Sequence, residues 1–107
     1  MHKSIEWAAG LFEGEGTMYQ MKVDKPWYAC RLKMTDKDVI DAFADLFPYG
    51  TVNEHKWKAK PHHKDSWYWQ IAAKEDVIDF LDKMLPYFGN RRAHKALDIL
   101  DDLELTT

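Results

Sequence analysis

Glu13 and Glu15 stand two residues apart in the run Trp7-Ala8-Ala9-Gly10-Leu11-Phe12-Glu13-Gly14-Glu15-Gly16, and carboxylates so placed are candidates for gathering positive charge. Ile5, Ala8, Ala9 and Phe12 recur at helical spacing, and Gly16, free to adopt a left-handed conformation, reads as the stop. Both acids then fall at a helix C-terminus, which already carries partial negative charge and disfavours each by roughly a few tenths of a kcal/mol. They demand a positive partner. Gly10 and Gly14 share one face of this helix and each costs about 1 kcal/mol relative to Ala, so that face is built for close approach of a second backbone.

The elements that must position these residues follow from periodicity. A first helix covers residues 4 to 15. Strands over 17 to 23 and 27 to 34 make a hairpin turned at Asp24-Lys25-Pro26. Thr35 or Asp36 caps a second helix through about Phe47, with Val39, Ile40, Phe43, Leu46 and Phe47 as its buried stripe. A second hairpin runs from about Thr51 to Lys58 and from Ser66 to Ala73, joined by a basic loop containing Pro61-His62-His63. A third helix spans about Glu75 to Leu85, ended by Pro86, and a fourth, capped by Asn90, runs from Arg91 to Leu103. Asp38-Val39-Ile40-Asp41 and Phe47-Pro48-Tyr49 recur as Asp76-Val77-Ile78-Asp79 and Leu85-Pro86-Tyr87, so the unit of two strands and a helix is duplicated. The order is α-ββα-ββα-α.

Strand alternation separates two faces. Tyr28, Cys30 and Leu32 oppose Ala29, Arg31 and Lys33; Trp67, Trp69 and Ile71 oppose Ser66, Tyr68 and Gln70. Gln20 and Lys22 fall on the side of the first strand that should be buried, which a bulge or a shifted register would explain.

With 107 residues, 46% hydrophobic and 14% aromatic, the chain reads as one folded domain, 1–107, and not as a disordered segment. No apolar run approaches the roughly 18 residues of a membrane span, and no signal pattern opens the sequence, so we expect a soluble, cytosolic protein that is not secreted. The lone Cys30 fits a reducing compartment. The net charge of −3 hides an uneven distribution: residues 17–34 and 51–74 hold nine Lys or Arg against three acids, a local +6 that leaves −9 elsewhere. Basic strands on an acidic helical body offer one side to a polyanion, although edge lysines that discourage aggregation account for some of this charge.

Read from Ala8 to Gly16, the segment A-A-G-L-F-E-G-E-G resembles the LAGLIDADG motif of homing endonucleases, and the element order resembles that family's core over essentially the whole chain. The resemblance implies an α+β fold in which helices cover one face of a four-stranded antiparallel sheet and the open face binds DNA. It implies that Glu15 holds a catalytic Mg²⁺ or Mn²⁺, with the backbone carbonyl of Gly14 or Glu13 as a further ligand, and that Lys74, at the end of the last strand, assists. Glu13 departs from the usual Asp and would cap or pair across an interface. By register with the family, the base readers are Tyr19, Met21, Arg31, Lys33, Asn53, His55, Tyr68 and Gln70. Arg31 or Lys33 suits guanine and Asn53 or Gln70 suits adenine. Lys56, Lys58, Lys60 and Lys64 suit phosphates.

One motif supplies one carboxylate, whereas cutting both strands needs two. A homodimer follows, joined through Ala9, Gly10, Glu13 and Gly14, with a long near-palindromic duplex as substrate. Two other readings stay open: a cleavage-inactive DNA-binding or RNA-splicing cofactor of the same fold, and a protein-binding module using the acidic helices. A zinc site from His55, His62, His63 and Cys30 matches no ordinary finger or ribbon spacing. The five Trp residues read as packing rather than a base-stacking platform.

Overall fold

The structure, a computed structural model, describes residues 3–21, 27–55 and 65–105. Its elements are α1 (Ile5–Glu15), β1 (Gly16–Met21), β2 (Trp27–Met34), α2 (Lys37–Leu46), β3 (Thr51–His55), β4 (Ser66–Ile71), α3 (Lys74–Met84), a 3-10 turn (Leu85–Tyr87) and α4 (Asn90–Leu105). The expected α-ββα-ββα-α order is present. The turn at Asp24-Lys25-Pro26 and the loop carrying Lys56, Lys58, Lys60, Lys64, His62 and His63 lie outside the described residues, as does Lys22.

All strand pairs are antiparallel, in the order β1-β2-β4-β3, so each duplicated hairpin places its second strand at the centre of the sheet. β1 pairs β2 without interruption from Gly16↔Leu32 to Met21↔Trp27, which excludes the expected bulge or register shift. Gln20 does sit on the helix-covered side. Its amide nitrogen donates to Asp98 Oδ2 and Asp102 Oδ2 of α4, both at 3.2 Å, and Tyr28 Oη donates to the same Asp102 at 2.9 Å. A polar group is tolerated under a helix when its hydrogen bonds are made there.

Met18, Cys30, Leu32, Trp69 and Ile71 form the inner layer of the sheet, against Phe12, Ile40, Phe43, Phe80, Leu81 and Ile99 of the helices. Ring centroids lie 5.1 Å apart for Phe12 and Phe80, 4.9 Å for Phe43 and Trp69, and 4.8 Å for Phe47 and Phe80. Such aromatic pairs are worth about 0.5–1.5 kcal/mol beyond the area they bury, and Phe12 uses them to anchor α1. The Trp69 indole donates to the Phe47 carbonyl at 3.1 Å and fills the space a side chain at Gly50 would need.

Local signals hold with adjustments. Ser4 caps α1 by accepting from Trp7 N at 3.0 Å. Asp36 occupies the N-cap of α2 but makes no side-chain cap bond. Asn90 lies inside α4, where the Gly89 carbonyl accepts from Ala93 N at 2.9 Å and serves as the cap. The duplicated Asp-Val-Ile-Asp is used in two rotations: Ile40 is fully buried in α2, whereas Val77 is the fully buried one in α3. β3 is exposed along its whole length, Val52 included.

Candidate nucleic-acid interface and catalytic helix end

Gly16 ends α1 in an extended conformation, φ −80° and ψ 159°, and not in the expected left-handed stop. Glycine is needed for a different reason: a Cβ there would fall 2.4 Å from the Phe12 ring. The chain can thus leave the helix directly into β1, packed over the ring that anchors α1.

The positive partner that the two acids demand is Arg92, from the first turns of α4. Its Nη2 donates to the Glu13 carbonyl at 2.9 Å and its Nη1 to the Gly16 carbonyl at 3.1 Å. Nε lies 3.5 Å from Glu13 Oε2, and the guanidinium sits 5.6 Å from the Phe12 ring. One planar fork caps the helix C-terminus and pairs its first acid. Glu13 therefore pairs within its own chain. Glu15 differs: it is exposed, with no hydrogen-bond or ion-pair partner among the described residues.

The other expected contact residues divide as well. Ala9 is buried in the chain's own core. Gly10 and Gly14 are exposed, and a Cβ at either would meet nothing within 4 Å, so nothing among the described residues requires them to be glycine. Lys74 is the first residue of α3 rather than the end of the last strand, which stops at Ile71, and it makes no hydrogen bond or ion pair with Glu15.

The open face of the sheet gathers the eight expected readers. Cross-strand neighbours form one row Thr17, Arg31, Gln70, Thr51 and another Lys33, Tyr68, Asn53, with Tyr19, Met21 and His55 on the same face. Tyr19 is 36% exposed, Met21 55% and Trp27 44%. Arg31 Nε donates to Gln70 Oε1 at 2.7 Å, and the Arg31 guanidinium lies 4.4 Å from the Tyr68 ring and 5.9 Å from that of Tyr19. Thr17, Trp27 and Thr51 also belong to this face; strand alternation alone includes them, whereas the resemblance does not name them. Arg92 had no local signal, since its partners lie 76 and 79 residues away in sequence.

Cys30 faces the helices, and burial pushes its thiol up to about 12, so it is an inert core residue. His55 lies on the opposite face of the sheet, which prevents the two from sharing a zinc ion. Among the described residues no group of three or more His, Cys, Asp or Glu side chains is placed to hold a metal. Likewise no helix among them is long and apolar enough to cross a membrane.

No family model matches the chain, and no curated protein does. Solved structures match it by shape. The homing endonuclease I-CvuI, crystallised with the I-CreI target in the presence of Mg with the DNA not cleaved, gives a TM-score of 0.75 at 15% identity over 94% of this chain and 65% of its own. The homing endonuclease I-TnaI gives 0.72 at 20% identity, covering 99% of this chain and 75% of its own. The LAGLIDADG homing endonuclease I-GzeII, in complex with its DNA target, gives 0.79 at 20% identity over 99% of this chain. This chain spans 65% of the I-CvuI chain and 38% of the I-GzeII chain. Four helices on one side of a β1-β2-β4-β3 antiparallel sheet, entered directly from a glycine-rich acidic helix, constitute the LAGLIDADG homing-endonuclease fold.

Proposed function

We propose that this chain is a divalent-metal-dependent, site-specific DNA endonuclease that works as a homodimer on a near-palindromic duplex. The observation that carries the reading is the contrast at the end of α1: Arg92 forms an ion pair with Glu13, while Glu15 is exposed where the sheet begins, with no partner among the described residues. An exposed carboxylate beside a backbone carbonyl suits Mg²⁺ or Mn²⁺, which takes one or two protein oxygens and completes its shell with phosphates and water. Arg92 holds the Glu13 carbonyl, which leaves Gly14 O as the neighbouring donor. A cation held there would activate water and stabilise the leaving oxygen of a phosphodiester. Solved structures of this fold, including I-GzeII with its DNA target, support DNA as the ligand.

The sheet supplies recognition in this reading. Its open face carries donors, acceptors and aromatic rings in two cross-strand rows, a surface that can enter a major groove. Each chain offers one unpaired carboxylate at α1, so two copies are needed for two strands. The exposed Gly10 and Gly14 give the helices a place to meet.

The test is selection of cleaved duplexes from a randomised library with Mg²⁺, repeated with Mn²⁺ and with EDTA. Cutting is expected with either metal and none with EDTA, and Glu15→Gln should bind the selected duplex without cutting it. A mutant that still cuts would remove Glu15 from catalysis. Binding without hydrolysis under both metals would assign the chain to the cleavage-inactive class.

A further inference from the structure

We infer that Arg31, Gln70 and Tyr68 form one preset guanine reader, in which Gln70 positions Arg31 and reads no base itself; this rests on the DNA-binding reading above. A free arginine must lose rotamer freedom to present its fork. Here the fork is already held. Gln70 Oε1 accepts from Arg31 Nε at 2.7 Å, and the guanidinium plane is held over Tyr68 at 4.4 Å, with Tyr19 at 5.9 Å. Register explains why these groups meet, because Arg31 lies directly opposite Gln70, and Lys33, two residues on, lies opposite Tyr68.

Nε is occupied, and among the described residues neither Nη donates to a protein acceptor. The two Nη groups therefore remain as a parallel pair of donors, the complement of guanine O6 and N7. Gln70 is altered by the same bond. Bidentate recognition of adenine requires an amide oxygen to accept from N6–H and an amide nitrogen to donate to N7. The bond to Arg31 fixes the Gln70 amide with its oxygen turned to the guanidinium, so the expected pairing of Gln70 with adenine gives way to a role acting through the arginine. Two copies in a dimer place one such guanine in each half-site.

The experiment is binding selection from a randomised duplex library with the full chain in Ca²⁺, comparing wild type with Arg31→Lys, Gln70→Met and the double variant. Wild type should prefer guanine at one position per half-site by roughly five- to 150-fold, the range of a good bidentate contact. Arg31→Lys keeps the charge but loses the fork, and should lose most of that preference while retaining sequence-independent binding. Gln70→Met should weaken preference at the same position, and the double variant should resemble Arg31→Lys there. Loss of preference at a different position in Gln70→Met would overturn the inference by making Gln70 an independent reader. A uniform fall in affinity for Arg31→Lys would also overturn it, by making Arg31 a phosphate contact while DNA binding stands. Absence of duplex binding by wild type at low salt would overturn this inference together with the reading it rests on.

Discussion

Glu13 and Glu15 are chemically alike, yet their surroundings give them opposite roles. Arg92 is the cause: its side chain is only 17% exposed, donates to two carbonyls and pairs in charge with one carboxylate. Replacing it by Met leaves a charge and two acceptors near a buried surface, so Arg92→Met should destabilise the chain by about 2 kcal/mol in urea unfolding. Arg92→Lys should recover only part of this, since an ammonium cannot reproduce the planar fork. Glu13→Gln keeps both carbonyl bonds and should cost less than Arg92→Met. An equal cost would mean that the carboxylate pair, and not the helix cap, is what Arg92 provides. Tyr49 tests a second polar contact. Its hydroxyl donates to Asp79 Oδ2 at 2.8 Å; burial, and then that carboxylate, push the phenol well above its ordinary value, so it remains a donor. Hydrogen bonds from Lys83 and then Tyr49 hold Asp79 below the usual carboxylate range. A folded value below the unfolded one stabilises above the unfolded pKa of about 3.9 and is lost as pH falls through the folded value. Tyr49→Phe should cost about 1 kcal/mol at neutral pH, Asp79 being half exposed, and that cost should shrink towards pH ~2. A cost equal at both pH values would exclude the carboxylate as the relevant partner.

At the scale of elements, Gly16 shows what local sequence reasoning reads and what it misreads. A glycine closing a helix suggests a left-handed turn, but the chain here runs straight into β1 and the glycine serves the Phe12 ring. Gly16→Ala should therefore destabilise by overpacking, about 1–3 kcal/mol in urea unfolding, despite a backbone conformation that any residue can adopt. A neutral Gly16→Ala would mean that the Phe12 ring yields. Periodicity made the helices and strands legible, because burial on one face imposes periods of 3.6 and 2 wherever an element lies on a core. It also separated the sheet's two faces, since a strand with one covered face exposes every second residue, while the choice of readers on the open face comes from the resemblance. Gln20 reads correctly as inward-facing yet looks out of place there, because its partners Asp98 and Asp102 are 78 and 82 residues away, and only the folded chain brings α4 over β1. The Asp-Val-Ile-Asp repeat carries the same limit: each copy is recognisably a helix start, but which hydrophobic points inward depends on what the helix packs against.

At the scale of the whole molecule, the two exposed glycines separate the demands of the chain from those of its assembly. A Cβ added at Gly10 or Gly14 would meet no atom of the described residues within 4 Å, so a methyl group there finds open space in a single copy. Alanine is favoured over glycine in a helix interior by about 1 kcal/mol, so Gly10→Ala, or Gly14→Ala with less effect near the helix end, should stabilise an isolated chain. If two α1 helices meet through these positions, the same methyl group lies between closely approaching backbones and must push them apart. The double variant should therefore unfold at higher denaturant when dilute, where monomer prevails, yet sediment as monomer at concentrations where wild type is dimeric. Cleavage of both strands should fall with dimerisation, because each chain brings one unpaired Glu15 to the duplex. Monomeric wild type at high concentration, or dimerisation unaffected by both alanines, would instead place the second carboxylate elsewhere than in another copy of α1.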